Sequence, residues 1–339
     1  MASDLSCVVH VHSTYSDGTA TVPEIAAAAR RAGAGAVLVT DHDTLAARRE
    51  EGFYDGVLVL AGLELTVGRG HLLAFGVEHA PAAPDAASAC AAVKRAGGVG
   101  IAAHPFSAGS RMLPKKIVPP HPWPELHGCA GLELWSLTTD AAEGWRTPRE
   151  AIRAFRAPER VLDGPPAHHV LAWDRLCARR RTVAVGGLDA HQTGVRVGGR
   201  VLSPMPNERW FGLLRTHLVL DRPLPADLQG ARGAVYGALR EGRCFLHRPT
   251  VFPADGARFG ADRPNAEVPM GAEAPAGPAT LRLTLPRAAD VTLRKDGEPI
   301  LAAHATTRVE HAVDAPGAYR AEARVAGRLW LLSNPVYLR

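Results

Sequence analysis

The sequence predicts an α/β protein with a mainly parallel sheet or barrel, followed by an antiparallel β module. Short runs of β-branched residues and leucine alternate with helical patterns through the first 250 residues, an order typical of parallel sheets. Beyond about residue 279, apolar residues instead alternate with period two, which is typical of antiparallel strands. We therefore expect a barrel-like unit over 1–250, a Pro/Gly/Ala-rich connection over 251–279 and a β module over 280–339.

The individual elements have recognisable start and stop signals. Thr21-Val22-Pro23-Glu24 is a capping box with proline in the first turn, and Gly33 ends the pattern, so a helix is expected over about 22–32. Further helices are predicted over 85–96, 171–180 and 234–241. Strands are predicted over 7–11, 36–40, 56–60, 71–77, 99–103, 131–135 and 183–187. Proline-rich segments over 107–127 and 138–169 interrupt this alternation, and we interpret them as insertions that select substrates at the mouth of the sheet.

The overall composition limits the possible function classes. The 339 residues are 46% hydrophobic and 22% charged, and no apolar run approaches the roughly 20 residues of a membrane span, so a soluble protein without a membrane partner is expected. The five cysteines are odd in number and lack a CxxC pair, which favours reduced thiols, and no secretory signal is evident, so we expect a cytoplasmic protein. The net charge of +5 is spread along the chain. It favours a small anionic substrate over nucleic acid, and the oligomeric state stays open.

Histidines and carboxylates follow the predicted strands repeatedly. His10 and His12 lie on one face of the first strand, because side chains alternate with period two, and Asp17 follows in the next turn. Similar residues come after later apolar runs, namely His42, Glu64, His71, His104, Asp189 and His191. Imidazole and carboxylate ligands without thiolates suit zinc, manganese or iron in an open site. The sequence therefore predicts a metal centre at the carboxyl ends of the strands.

The same segments resemble a known family. HVHSTYSDGT, VTDHDT, GLELT with GHLLAFGV, AAHPF and VGGLDAHQ are similar to the ordered motifs of the PHP (polymerase and histidinol phosphatase) superfamily of metal-dependent phosphoesterases. VLAWDRLCARRRTVAVGGLDAH and the closing LWLLSNPVYLR resemble its carbaryl-hydrolase-like branch. The resemblance implies a distorted (β/α)7 barrel with two or three divalent ions, Mn, Zn or Fe, that activate a water at its C-terminal mouth. The β module would be a small antiparallel sandwich.

The resemblance also implies a role for each candidate ligand. One metal would be held by His10, His12, Glu64 and Asp189, and Glu64 would be shared with a second metal that His104 also binds. Asp17, His42 and His191 would complete the cluster and act in catalysis. His71 departs from the simplest superfamily motif but fits the carbaryl-hydrolase-like branch, so we include it as a ligand. Asp41 and Asp43 flank His42, and we expect them to cap the next helix or to orient the imidazole.

Three functions remain open at this point. The first is hydrolysis of a small phosphate mono- or diester by an activated water, since neither a GxSxG elbow nor a phosphate-binding glycine loop occurs in the sequence. Predicted substrate-binding residues near the mouth are Arg69, Arg111, Lys115, Lys116 and His169. The second is carbamate or carboxylic-ester hydrolysis, for which Trp123, Trp135 and Trp145 would suit an aromatic substrate. The third is a non-catalytic accessory module, which the intact ligand set argues against.

Overall fold

The fold is a mixed α/β architecture whose strands form two large sheets and a hairpin. The computed structural model describes residues 2–83, 85–115, 126, 128–264 and 266–339. Its helices are α1 (Val22–Arg31), α2 (Ala86–Arg95), α3 (Leu137–Gly144), α4 (Pro148–Arg156), α5 (Pro158–Val161), α6 (Ala167–Arg179), α7 (Asn207–Phe211) and α8 (Leu228–Glu241), with a 3-10 helix over Ala46–Glu50. Its strands are β1 (Ser3–Val11), β2 (Ala36–Val39), β3 (Gly52–Tyr54), β4 (Val57–Ala61), β5 (Leu63–Val67), β6 (Gly70–Phe75), β7 (Val99–Ala103), β8 (Gly131–Ser136), β9 (Val183–Gly187), β10 (Val195–Val197), β11 (Arg200–Leu202), β12 (Arg215–Leu220), β13 (Cys244–His247), β14 (Arg258–Arg263), β15 (Ala266–Pro269), β16 (Glu273–Ala274), β17 (Ala279–Lys295), β18 (Glu298–Val313), β19 (Gly317–Val325), β20 (Arg328–Ser333) and β21 (Val336–Leu338).

The local signals in the sequence explain where the main helices begin and end. Helix α1 starts at the predicted capping box, in which the Thr21 side chain accepts from the Glu24 amide and the Glu24 carboxylate accepts from the Thr21 amide. Helix α8 ends at Gly242, whose φ of 69° lies in the left-handed region that glycine adopts without strain. The predicted helices over 22–32, 85–96, 171–180 and 234–241 are confirmed as α1, α2, α6 and α8.

Two sheets carry the strands that end at the candidate ligands. In the first, β1 lies parallel to β2, and β2 lies parallel to β4. The second sheet has the order β5-β6-β7-β8-β9, with β7, β8 and β9 parallel and β6 antiparallel to β7. Backbone hydrogen bonds join the sheets along both edges. His12 donates to Ala190 O at 2.9 Å on one side, and Glu64 donates to Asp41 O at 3.1 Å on the other.

The strand directions place the candidate ligands on one side of the molecule. The ends of β1, β2, β7 and β9 lead to His12, His42, His104 and Asp189 respectively. His71 instead lies near the start of β6, but β6 runs in the opposite direction, and its register pairs His71 with Ala103, the residue before His104. The start of an antiparallel strand therefore reaches the same edge as the end of its parallel neighbours.

The C-terminal strands continue the first sheet. Strand β20 pairs with β13, so that Phe245 lies opposite Ser333, and one sheet extends from β15 through β14, β17, β19, β20, β13, β12 and β1 to β3. This pairing packs the last part of the chain against the barrel-like unit. The connectivity differs from the predicted separate sandwich, because backbone hydrogen bonds run without a break between the two parts.

The segment over 251–279 differs from the connection that its composition predicts. It contains β14, β15 and β16, and β14 pairs with β17 so that Phe259 lies opposite Leu283. Pro, Gly and Ala obscured this pattern, because a period-two signal is weak when the alternating residues are small. The second predicted insertion, 138–169, contains α3, α4 and α5.

The cysteines do not all match the prediction of reduced thiols. Cys90 in α2 and Cys129 before β8 form a disulfide with 4.9 Å between their Cα atoms, and that part of the prediction is wrong. The sequence did not reveal this pair, because 39 residues separate its members and only the fold brings them together. Cys7, Cys177 and Cys244 are free and buried. In the described part of the chain, no helix has both the length and the apolar character needed to cross a bilayer, and cytoplasmic localisation stays a prediction.

Candidate metal centre

Two imidazoles from the first strand converge at the edge of the sheets. His10 and His12 are fully buried, and their ring centroids lie 5.2 Å apart. The strand is not regular there, because the β1–β2 register shifts between Val9 and Val11 and His10 has a φ of 68°. The predicted period of two therefore places both imidazoles on the correct side of the strand, but it does not predict the bulge at His10.

Glu64 lies at the middle of the cluster. Its carboxylate is 1% exposed. One oxygen, Oε2, lies 3.1 Å from Nε2 of both His10 and His12, whereas Oε1 lies 2.9 Å from His71 Nδ1 and 3.1 Å from His104 Nε2. One carboxylate thus faces two pairs of imidazoles with different oxygens, which is the arrangement a bridging ligand needs.

Asp189 lies on the other side of the two buried histidines. Its Oδ1 is 3.5 Å from His10 Nε2 and 3.4 Å from His12 Nε2. These four residues, His10, His12, Glu64 and Asp189, offer one ligand atom each within 4.8 Å of one another. A single small cation could contact all four atoms.

A more exposed group lies beside this buried one. Asp17 Oδ1 is 3.2 Å from His191 Nε2 and 3.8 Å from His42 Nε2. The side chains of Asp17, His42 and His191 are 52%, 30% and 21% exposed. His12 stacks on His191 with centroids 4.0 Å apart and so joins the buried and exposed groups. Ligand atoms of His12, Asp17, His42 and His191 also lie within 4.8 Å of one another.

A third possible group consists of His42, Glu64 and His71, and His71 Nδ1 is also 3.4 Å from His104 Nε2. All nine predicted ligands therefore lie in one continuous cluster. The residue types and their spacing fit divalent cations. In the described residues, His10 Nε2, both ring nitrogens of His12 and Glu64 Oε2 are buried without a hydrogen-bond partner, and such atoms are costly unless a cation binds them.

Charge complementarity shifts the pKa values in the cluster. Burial would raise the pKa of Glu64, but the His10, His12 and His104 imidazoles hold it well below its usual range. Burial likewise opposes protonation of His12, yet the neighbouring Asp189 and Glu64 carboxylates raise its pKa to about 9. A cation bound between these groups would compete with protons for the imidazole nitrogens.

Two supporting residues escaped the sequence prediction. Glu133 in β8 is 1% exposed and lies 2.9 Å from His10 Nδ1. Thr139 in α3 donates from Oγ1 to Asp189 Oδ2 at 2.9 Å. An ionisable residue within the apolar run GLELW was the available signal for Glu133. Thr139 had none, because its role depends on helix α3 packing against the end of β9.

Asp41 and Asp43 support loops and do not orient the His42 ring. Asp41 accepts from Ser13 N, Ser13 Oγ and Ser16 Oγ, each at 2.7 Å. Asp43 accepts from Thr66 N at 2.6 Å and from Thr66 Oγ1 at 2.7 Å. They therefore brace the 13–16 turn and strand β5, and the expectation that they cap the next helix or hold the imidazole is wrong.

Three of the predicted ligands have an unusual backbone conformation. His10, His104 and Asp189 have φ values of 68°, 30° and 51°. Residues other than glycine rarely have positive φ values, and those that do concentrate at functional sites. The cluster therefore combines local backbone strain with unpartnered buried polar atoms.

The predicted substrate-binding residues differ in burial. Arg69, Arg111 and Lys115 are exposed, and Lys116 lies outside the described residues. His169 is 3% exposed, its Nδ1 lies 3.8 Å from Asp140 Oδ1, and it belongs to none of the candidate ligand groups among the described residues. Burial lowers the pKa of His169 to about 4, which favours the neutral ring.

The tryptophans give little support to an aromatic substrate. Trp135 is 1% exposed and belongs to the core. Trp145 is partly buried and packs against Phe155 with centroids 5.1 Å apart. Trp123 lies outside the described residues.

Comparison with known proteins adds independent findings. No protein-family model matches the chain. Over 91 residues it is 40% identical to the phosphoribosyl 1,2-cyclic phosphate 1,2-diphosphodiesterase of Eggerthella lenta, and the match covers 24% of this chain and 34% of that enzyme. The chain thus spans about a third of the length of that curated relative.

Two solved structures are also similar. A two-domain protein from Bacteroides vulgatus, which contains a predicted PHP-like metal-dependent phosphoesterase, is 16% identical with a TM-score of 0.47, over 98% of this chain and 95% of its own. A protein from Bifidobacterium adolescentis, assigned as a metal-dependent phosphoesterase, is 20% identical with a TM-score of 0.37, over 58% of this chain and 92% of its own. The predicted resemblance to phosphoesterases is supported, over the 91 matched residues, by the phosphodiesterase of Eggerthella lenta.

Proposed function

We propose that this chain, which resembles the metal-dependent phosphoesterases of the PHP superfamily, hydrolyses a small phosphate mono- or diester with a water activated at the nine-residue cluster. One observation carries the proposal. Glu64 is buried between two pairs of imidazoles, with a different oxygen toward each pair. A carboxylate in this position can bridge two cations, and paired cations are well suited to phosphoryl chemistry.

The cluster would hold two or three divalent ions, Mn, Zn or Fe. His10, His12, Glu64 and Asp189 would hold the first ion, His71 and His104 with Glu64 the second, and Asp17, His42 and His191 a third. When bound, such ions supply an activated water near neutral pH and neutralise charge on the phosphoryl oxygens. The protein's part is to fix the ligands before the substrate arrives.

The difference in exposure suggests how the roles divide. The His10, His12 and Glu64 side chains are at most 1% exposed, so they form the buried and immobile part of the site. Asp17, His42 and His191 are partly exposed, so a substrate approaching from solvent meets them first. We therefore assign the catalytic contacts to these three residues, where they would position the ester and the attacking water.

The proposed architecture follows the same reasoning. We propose that β1, β2, β4, β6, β7, β8 and β9 form the distorted seven-stranded barrel, because backbone hydrogen bonds join the two sheets along both edges. The strands from β14 onward would form the C-terminal module, with its sandwich-like core built from residues such as Leu283, Val291 and Trp330. In this arrangement the module stabilises the barrel and leaves the chemistry to the cluster.

A substrate panel tests the function. Purified chain reconstituted separately with Mn, Zn and Fe should hydrolyse chromogenic phosphate mono- or diesters faster than an aryl carbamate. The panel should include a five-membered cyclic phosphate diester, because the relative from Eggerthella lenta is named for that type of bond. Faster carbamate cleavage with every metal would overturn the phosphoesterase assignment.

Three variants control for contaminating activity. Asp189→Ala and His104→Ala should each abolish turnover with the far-ultraviolet circular dichroism unchanged. His304→Ala removes an 83% exposed imidazole on β18 and should leave turnover intact. Near-normal turnover in Asp189→Ala would show that the cluster is not the reaction site.

A further inference from the structure

We infer that Glu133 is a positioning residue that determines which ring nitrogen of His10 faces the metal centre, and that Gly187 is required to make room for it. The inference rests on the proposed function, because it concerns the same cluster. The Glu133 carboxylate contacts the side chain of one candidate ligand and the backbone N–H of a second. Neither Glu133 nor Gly187 belongs to the nine predicted ligands.

The contacts of Glu133 use both oxygens of its carboxylate. Oε1 lies 2.9 Å from His10 Nδ1, and both side chains are fully buried. Oε2 accepts from the backbone N–H of His104 at 2.9 Å. One side chain from β8 thus holds a residue on β1 and the residue that follows β7. Their imidazoles belong to the two pairs on either side of Glu64.

The contact with His10 decides the chemistry of the ring. A carboxylate accepts hydrogen bonds and does not donate them, so the hydrogen of the imidazole is kept on Nδ1. The other nitrogen, Nε2, then offers its lone pair to a cation. This agrees with the geometry, since Nε2 is the atom that points at Glu64 and Asp189 and is buried without a hydrogen-bond partner among the described residues.

Gly187 provides the space that this contact occupies. It is the last residue of β9 and lies opposite Ser136 in the β8–β9 register. A Cβ atom added there would overlap Glu133 Oε1 and would lie 3.1 Å from the His10 Cβ. A glycine is therefore needed at 187 for the close approach of three strands, not for its own backbone angle.

The contact with His104 explains a second feature. His104 has a φ of 30°, a conformation that needs support from its surroundings. Its N–H is directed at Glu133 Oε2, which holds the residue in that conformation. One buried carboxylate thus sets the ring of one ligand and the backbone of another.

The test measures metal affinity and does not depend on turnover. Glu133→Gln keeps the volume of the side chain, but an amide cannot accept at both positions. If the oxygen of the new amide faces the His104 N–H, its NH2 group faces His10 Nδ1. Nδ1 must then accept a hydrogen bond, so the ring carries its hydrogen on Nε2, and that hydrogen blocks metal binding. We expect one of the bound ions to dissociate 10- to 100-fold more readily, measured by competition between Zn²⁺ or Mn²⁺ and a chromophoric chelator.

Gly187→Ala tests the same contact with Glu133 still present. It should reproduce the affinity loss, and Co²⁺ substituted into either variant should show an altered ligand-field spectrum relative to the wild type. Gly186→Ala is the matched control, because its added Cβ would meet the Leu214 side chain and not Glu133. It should lower thermal stability without changing affinity or spectrum.

The outcomes separate this inference from the proposed function. Failure of the wild-type chain to bind any of the metals would remove the proposed function itself. A wild type that binds metals, with Glu133→Gln showing the same affinities and the same Co²⁺ spectrum, would overturn only the role of Glu133. An affinity loss in Gly186→Ala as large as in Gly187→Ala would show a general effect of methyl groups in β9 and would overturn the role of Gly187.

Discussion

Asp174 and Arg320 form a buried, bidentate ion pair that joins helix α6 to strand β19. Arg320 Nε lies 2.7 Å from Asp174 Oδ1, and a terminal nitrogen lies 2.8 Å from Oδ2. The two side chains are 7% and 2% exposed. The guanidinium also packs over the Trp173 ring at 5.4 Å. The two residues are 146 positions apart in the sequence. Their ion pair therefore joins the C-terminal strands to the part of the chain that carries the metal cluster.

The first prediction concerns this pair. Arg320→Met leaves the Asp174 carboxylate buried without its partner, and we expect the free energy of unfolding to fall by about 3 to 5 kcal/mol. Urea denaturation measures it. Arg30→Met is the control, because the Arg30–Asp55 pair is 62% and 79% exposed and should contribute less than about 1 kcal/mol. Equal effects of the two variants would show that burial of the Asp174–Arg320 pair does not matter.

The second prediction concerns metal stoichiometry. The nine clustered ligands exceed the four of a single tetrahedral site, so the reconstituted chain should hold more than one transition-metal ion. Glu64→Gln should lose more than one equivalent, because Glu64 faces both imidazole pairs, whereas Asp17→Asn should affect only the exposed group. Elemental analysis after gel filtration decides this. Less than one equivalent in the wild type would refute the cluster as a multinuclear site.

The third prediction concerns acid sensitivity. His247 is buried, its Nε2 lies 2.8 Å from Phe252 O, and burial lowers its pKa to about 3. The unfolded chain binds a proton at this histidine near pH 6.5, but the folded chain does not until about pH 3. Stability is therefore lost as the pH falls below 6.5, by about 2 kcal/mol at pH 5.

His247→Gln should remove that contribution while keeping a side-chain donor for Phe252 O. Urea unfolding at pH 7.5 and pH 5.0 should show a smaller difference in stability for the variant than for the wild type. His79→Gln changes an exposed histidine and should leave the wild-type difference unchanged. A pH difference equal in His247→Gln and the wild type would exclude His247 as a cause of acid sensitivity.

The fourth prediction concerns the disulfide between Cys90 and Cys129. Denatured, unreduced protein treated with iodoacetamide should gain three labels, on Cys7, Cys177 and Cys244, and reduced protein should gain five. Intact mass spectrometry counts the labels. The double variant Cys90→Ser/Cys129→Ser should be less stable by up to about 4 kcal/mol, because the bond closes a long loop in the unfolded chain. Five labels without reductant would show that the bond does not form.

The sequence by itself determined the local features of this protein. The capping box at Thr21 predicts the start of α1 because its hydrogen bonds join residues three positions apart. Most of the nine ligand candidates could be named because they lie at the end of an apolar run that forms a strand or shortly after it, and the ends of such strands meet at one edge. His71 reaches that edge because β6 is antiparallel to β7. Only the pairing of His71 with Ala103 reveals this direction.

Only the tertiary structure decided the contacts between distant segments. Glu133 reaches His10 across 123 residues, and Arg320 reaches Asp174 across 146. The continuous sheet from β13 into β20 also depends on which strand edges meet. Caps and periodicities involve neighbours within a few positions, so the sequence reveals them directly. The partner of a buried charge or of a strand edge depends on how the whole chain packs, and a single sequence carries no local signal for it.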